Sequence, residues 1–283
     1  MTRGLVSALG CLLAMLSLAF VGGGRGTFVA SGQRPSSGLD YQILIDAETG
    51  AAGDQWRSNA TPASLQSAIS LGSSLCSITI ASNNAGIASN RLFVVNGTAG
   101  LVKDGTRAFE YNDNVSPPNA MHGGGYIHLN DEWPILSVQF WIRFGTMWNG
   151  SAFQSFDPFK LISDAAAEYL VFNVYDGTGT IPLEFSIHTQ AGANIMNSDA
   201  TNATFYLVDM HWNSNTMGTL IRVRDTNGNL FCSGSNNLTS ALSVKHIQFG
   251  MIDGHGATHA GSPSIIVDRI KISTNGNFPL GFN

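Results

Sequence analysis

His188 and His246, with Tyr175 and Glu184, are the side chains of this sequence whose types suit proton transfer. A β-elimination needs a base and an acid, and an imidazole, a phenol or a carboxyl can serve once it lies within hydrogen-bond reach. A structural role for each histidine on its own strand is the alternative. Asp46, Glu48 and Asp54 put three carboxylates around a glycine-containing turn, Asp46-Ala-Glu48-Thr-Gly50. Oxygen donors at that density suit a hard cation such as calcium; an ordinary acidic turn is the other reading. His255 and His259 stand four apart, but the run Gly254-His-Gly-Ala-Thr-His-Ala-Gly261 reads as a loop, where that spacing makes no metal pair. No cysteine cluster, phosphate loop or nucleophile elbow occurs in the sequence.

Positioning such groups falls to strands. From Leu136 to Phe144, Leu136, Val138, Phe140, Ile142 and Phe144 alternate with Ser137, Gln139, Trp141 and Arg143. Side chains alternate across a strand, so the first set is predicted to face a core and the second another surface. The same period recurs at 169–175, 183–190, 219–225 and 244–251. Its polar sets are Asn173 and Tyr175; Glu184, Ser186, His188 and Gln190; Arg222 and Arg224; His246 and Gln248. If all the apolar sets share one core, these groups join Trp141 on one sheet face. Aromatic faces stack on sugar rings, and planar amide, guanidinium and imidazole groups match pairs of hydroxyls. That makes a glycan groove the functional reading and a solvated outer face the alternative. Strands are further predicted at 41–45, 77–80, 91–95, 105–111, from Tyr126, and at 204–212 and 264–273, with an aromatic-rich return segment at 153–162 and one short helix or anchored loop at 63–71. Many strands, Gly/Asn turns and almost no helix predict an all-β, two-sheet antiparallel jelly-roll sandwich.

The chain ends bound the setting. Arg3, the apolar run Leu5 to Val21 and Gly22-Gly23-Gly24 predict a secretory signal peptide over 1–24, with a single membrane anchor as the rival reading. Residues 25–38 are Gly/Ser-rich with Pro35 and read as a linker, and 39–283 as one domain. The expectation is a secreted, extracellular protein with no membrane span after signal removal. A net charge of −5 with 12% charged residues argues against nucleic acid as a partner. Cys76 and Cys232 remain outside the signal and suggest one disulfide, or else two separate buried thiols. Sequons at Asn59, Asn96, Asn114, Asn149, Asn202 and Asn237 mark loops if the source glycosylates.

Three stretches resemble the concanavalin A-like lectin/glucanase group, especially its laminin G-like members and jelly-roll polysaccharide lyases. They are Ile45-Asp46-Ala-Glu48-Thr-Gly50 up to Trp56, the strand Leu136 to Phe144, and Ile265 to Thr274 with Asp268. The resemblance implies the sandwich fold and a calcium site near the joined ends, with Asp46, Glu48 and Asp268 as ligands. The group's glucanases carry Glu-x-Asp-x-x-Glu on one strand, and no such run exists here. Its alginate-type lyases carry Arg-x-Glu-Leu, Gln-x-His and a late Tyr-x-Lys strand. Arg107-Ala-Phe-Glu110 has an extra residue, Ser186-Ile187-His188 has Ser for Gln, and the last is missing.

These observations predict a secreted sandwich that binds a polysaccharide or glycan through Gln139, Trp141, Arg143, Asn173, Tyr175, His188, Arg222 and His246. A lyase or glycosidase of the same fold is the second reading. An extracellular structural protein, self-associating through its Gly/Ser arm, is the third.

Overall fold

The computed structural model describes residues 39–57, 65–81, 91–97, 100–112, 123–145, 154–176, 183–251, 254–255, 264–278 and 280. The predicted signal peptide and linker, Asn59, Asn114, Asn149 and His259 lie outside them.

In chain order the early strands are β1 (Ile43–Ile45), β2 (Gln55–Arg57), β3 (Ile69–Leu71), β4 (Cys76–Ala81), β5 (Arg91–Asn96) and β6 (Arg107–Asn112). The middle ones are β7 (Gly123–Trp133), β8 (Ile135–Phe144), β9 (Gln154–Ser163), β10 (Tyr169–Asp176), β11 (Leu183–Thr189) and β12 (Gly192–Ala200). The last are β13 (Phe205–Asn213), β14 (Gly218–Arg224), β15 (Leu230–Asn237), β16 (Val244–Met251), β17 (Gly254–His255) and β18 (Ser264–Ser273). A ten-stranded sheet runs β15-β14-β13-β8-β18-β6-β5-β2, with β1 on β18 and β3 on β1. An eight-stranded sheet runs β12-β11-β10-β9-β16-β7-β4, with β17 on β9. All the pairings between these strands are antiparallel. The fold is therefore the all-β, two-sheet antiparallel jelly-roll sandwich expected from the sequence.

The alternating apolar sets do what their period predicts. Leu136, Val138, Phe140, Ile142 and Phe144 of β8 are buried, and they meet Phe156, Phe159, Phe172, Phe185 and Phe249 of the second sheet in one core. Phe140 and Phe159 stack across the two sheets at 3.9 Å between centroids and 9° between planes, and Phe144 meets Phe185 in a tilted contact at 5.8 Å. Rings in offset or tilted contact add stabilisation beyond their area, roughly 0.5–1.5 kcal/mol per pair.

Three features depart from the sequence reading. The 63–71 segment is helical only at Leu65 and Gln66 among its described residues and then turns into β3, because Ile69 is held opposite Ile45. Cys76 and Cys232 are free, buried thiols rather than a disulfide. β4 is the far edge of the second sheet, whereas β15 edges the first and packs on β11 and β12, so the two thiols sit at opposite ends of the sandwich. Burial pushes each thiol up to about 12, which keeps both protonated and inert. The first sheet, finally, is buried on both faces around β8: Ser137, Gln139 and Trp141 point away from the core, yet each is under 8% exposed.

Candidate functional site

The predicted single face divides between the two sheets. Gln139, Trp141 and Arg143 of β8 and Arg222 of β14 lie on the outer side of the first sheet. Asn173, Tyr175, Glu184, His188 and His246 lie on the outer side of the second. A core thickness separates them, so Trp141 shares no hollow with His188 and Tyr175. Strand order decides this, and alternation along one strand carries no information about it.

Trp141 is enclosed. It packs with Ala108, Phe205, Leu207 and Ile266 under Leu101 and Val102, with the Lys103 ammonium 4.9 Å above its ring. Gln139 donates to Asp209 at 2.9 Å and to the Leu280 carbonyl at 3.0 Å, and accepts from Lys271 at 3.2 Å. Arg224 closes this buried network with two bonds to Asp209, at 3.0 and 2.6 Å. Burial first, then the Arg269 charge, brings the Lys271 ammonium down to about 8. Arg222 lies 5.2 Å over the Phe278 ring, and Arg143 donates to the Ala203 carbonyl at 3.3 Å. On this sheet the chain's own segments cover the polar and aromatic side chains that were candidates for sugar.

The predicted calcium ligands do gather near one another. Glu48 accepts from the Thr106 and Arg107 amides at 2.7 and 2.9 Å and from the Thr106 hydroxyl at 2.6 Å. Asp268 accepts from the Lys103 and Asp104 amides at 2.9 Å each, and Asp46 from the Glu48 amide at 3.2 Å. Asp54 accepts from the Ala51 amide at 2.7 Å within its own turn. Among the described residues no group of three or more His, Cys, Asp or Glu is arranged to hold a metal. These carboxylates tie the 100–107 segment to β18 and the β1 turn.

The second sheet's outer face is different. Register sets a row across it: Thr79 of β4, Tyr126 of β7, Gln248 of β16, Lys160 of β9, Val171 of β10 and His188 of β11. A parallel row holds Ser77, His128, His246, Ile162 and Tyr169. Between these rows lies a hollow of about 370 Å³ lined by Tyr126, Lys160, Ile162, Ala165, Ala166, Tyr169, His246 and Gln248. Lys160 stands 5.0 Å over the Tyr169 ring. Tyr126 packs on His128 at 4.3 Å and on His246 at 5.3 Å, and the two imidazoles meet edge-on at 5.3 Å. The lip is the turn Asp164–Ala166, in which Ala165 and Ala166 hold φ of 58° and 53°. Left-handed backbone at two alanines is strained, and such strain gathers where a loop must take one particular shape.

Burial lowers the pKa of His128, with the His246 charge adding to it, and Thr79 pairs with its Nε2 at 3.0 Å. Burial also lowers His246, against the pull of Asp164 at 3.9 Å, and His246 Nδ1 is buried without a partner. Both rings are therefore neutral at pH 7. Burial first and the Asp164 charge second raise the Tyr126 phenol.

Along the same face Asn173, Ser186 and His188 form a bonded chain: Ser186 Oγ lies 3.1 Å from Asn173 Oδ1 and 3.0 Å from His188 Nε2. Tyr175 and Glu184 are cross-strand partners, four positions along the strands from the Val171–His188 pair. At about 3.3 Å per residue that is roughly 13 Å, so the three do not converge as a catalytic group. Burial raises both Tyr175 and Glu184, with the Glu184 charge adding to the rise at Tyr175, which argues against that phenol as a base. Tyr126, His128, Lys160 and Tyr169 were missed as site residues. Their signal was present as Tyr126 and His128 alternating with Ile127 and Leu129, and Lys160 with Phe159 and Leu161. What the sequence lacked was the adjacency of β7, β16 and β9.

No family model matches the chain, and no curated protein matches it in sequence. Among solved structures it is similar to a sialidase, with a TM-score of 0.42 and 10% identity over 64% of this chain and 17% of that one. It is also similar to the binding domain of botulinum neurotoxin DC in complex with SialylT, with a TM-score of 0.45 and 11% identity over 83% and 48% of the two chains. A protein of unknown function from Shewanella oneidensis MR-1 aligns with a TM-score of 0.38 and 12% identity over 80% of this chain and 90% of its own. The chain thus spans less than half the length of the first two.

Proposed function

We propose that this chain is an exported carbohydrate-binding β-sandwich whose sugar site is the hollow on the second sheet. The observation that carries the reading is the lining: two tyrosines, an amide, an imidazole and an ammonium brought to one concavity by four neighbouring strands. Its volume of about 370 Å³ falls within the roughly 300–1,000 Å³ of small-molecule sites. Tyrosine rings offer stacking faces, while Gln248, His246 and Lys160 offer donors and acceptors at the spacing of adjacent strands. Side chains mounted on strands hold their geometry better than those on loops, so little ordering is required when a ligand arrives. Binding of immobilised glycans by the wild type, Tyr169→Ala and Trp141→Ala tests this. Tyr169→Ala is expected to lose binding with an unchanged melting midpoint, and Trp141→Ala to lower the midpoint. Retention of binding in Tyr169→Ala would refute the site.

A second reading, β-elimination on a uronate polymer, is favoured by neutral His128 and His246 packed on Tyr126. A neutral imidazole is a competent base, and a phenol with a raised pKa is better suited to donate than to accept. New ultraviolet absorbance from unsaturated uronate products, lost in His128→Ala, is the expected sign. Its absence across uronate polymers retires the lyase reading and leaves binding intact.

A further inference from the structure

The sugar reading leaves His188 outside the hollow, yet its ring is the best-determined acceptor on that face. Asn173 Nδ2 lies 2.7 Å from Asp157 Oδ1, 2.9 Å from Ser155 Oγ and 3.1 Å from the Phe156 carbonyl. A carboxylate and a carbonyl only accept, so the amide nitrogen must be the atom facing them, and the oxygen must face Ser186. Ser186 has a single proton and sends it to Asn173 Oδ1 at 3.1 Å. The 3.0 Å contact between Ser186 Oγ and His188 Nε2 then requires His188 to be the donor. Ser186 and Asn173 are each only 3% exposed, so water does not readily stand in for either. The bonds all run toward the Asp157 carboxyl, so each donor is polarised by the next bond in the chain.

We infer that Asp157, Asn173 and Ser186 fix His188 as the Nε2–H tautomer, so that its Nδ1 lone pair serves as a hydroxyl acceptor for the ligand held in the hollow. This rests on the sugar reading of that hollow. Nε2 is taken by Ser186 and the ring is half-buried, which leaves Nδ1 as the ring nitrogen for an outside donor. Its row is that of Tyr126, Gln248 and Lys160, with Val171 the only residue between His188 and Lys160. Two strand spacings of about 4.8 Å put the acceptor roughly 10 Å from Lys160, so one extended ligand lying across the strands meets both. Burial lowers the His188 pKa, which keeps the ring neutral and Nδ1 unprotonated at pH 7. Ser186 and Asn173 are positioning residues, and His188 is the contact.

The test joins imidazole ¹⁵N NMR on the whole protein with binding of three probes: a neutral β-glucan oligosaccharide, a uronate oligosaccharide and a sialylated lactose. Wild type is expected to show His188 protonated at Nε2 alone, and Ser186→Ala a mixture of tautomers in a protein that still folds, with a lowered melting midpoint from the buried Asn173 oxygen left unpaired. Whichever probe binds is expected to bind roughly three- to tenfold more weakly to His188→Ala, the worth of one neutral hydrogen bond. A proton on Nδ1 in the wild type overturns the inference. Binding lost in Tyr169→Ala but untouched in His188→Ala overturns it while sparing the sugar site. No binding of any probe removes the sugar site and the ligand role of His188 with it, and the tautomer is still read directly.

Discussion

Asp268 shows how a single buried group sets a pH response. Burial, assisted by the charges of Glu48 and Asp46 and opposed by the Lys103 amide, raises it from 3.8 to about 7. A carboxyl raised on folding binds its proton more tightly in the native state. Its contribution is complete below about pH 4 and is lost as pH rises through 7. Asp268→Asn keeps an oxygen for the two amides and removes the charge. Its melting midpoint relative to wild type is expected to climb between pH 4 and 7 and then level off. A difference that shrinks over that window contradicts the assignment. The histidines act in the other direction: His128, His188, His211 and His246 are lowered by burial, so their contribution is present above the ordinary 6.5 and fades as the protein is acidified. Ala166 is exposed at φ 53°, where an L side chain costs roughly 1–2 kcal/mol. Ala166→Gly relieves that strain and gives back roughly 0.4–1 kcal/mol through the unfolded chain. A net gain of about 0.5–1 kcal/mol in denaturant unfolding is expected.

Elements were legible in proportion to how strictly apolar residues alternate with polar ones along them. β8, β10, β11, β14 and β16 bury one apolar set each, and their alternation announced them. β12 and β15 are the edge strands on one side of the sandwich, with Ile195 at 68% and Leu230 at 61% exposure, and their Gly/Ser/Asn-rich sequences carry little period. Side-chain amides help to hold those edges together: Asn194 donates to the Ser235 carbonyl at 3.1 Å and Asn236 to the Gly192 carbonyl at 2.9 Å. β7 opens with Gly123-Gly124-Gly125, ahead of the strand start predicted at Tyr126, and these glycines are paired strand beside β16. The Phe249 ring occupies the space a Cβ on Gly125 would need, and that ring also contacts Phe109 and Phe159. Gly125→Ala is therefore expected to destabilise the fold by about 1–3 kcal/mol through overpacking, measured by urea unfolding. Because β7 carries Tyr126 and His128, glycan binding should weaken with it.

For the whole molecule, the decisive fact is that one sheet is covered and the other keeps an accessible hollow. Leu280 and Phe278 lie over the first sheet, where the Leu280 carbonyl accepts from Gln139 and the Phe278 ring lies 4.8 Å from His211. Beneath them Asp209 is 1% exposed and leans on Arg224 and Gln139. Arg224→Met strands that carboxylate, and a loss of roughly 3–5 kcal/mol in chemical unfolding is expected. Since both cysteines are buried and unpaired, a reductant such as dithiothreitol should leave the melting midpoint where it is. A clear drop would show a bridge and a different placement of β4 and β15.

By itself the sequence determined the β class, the strand positions in the core and which residues of each strand point away from it. Hydrophobic alternation is a local property, with a period of two that survives in any arrangement of strands. It could not say which outward sets lie side by side, because that depends on strand order and on which face later segments cover. Trp141 looked exposed along its own strand and is roofed by residues 101–103, forty positions earlier. Tyr126, Lys160 and His246 look unrelated along the chain and line one concavity, because β7, β16 and β9 are neighbours only in the folded sheet.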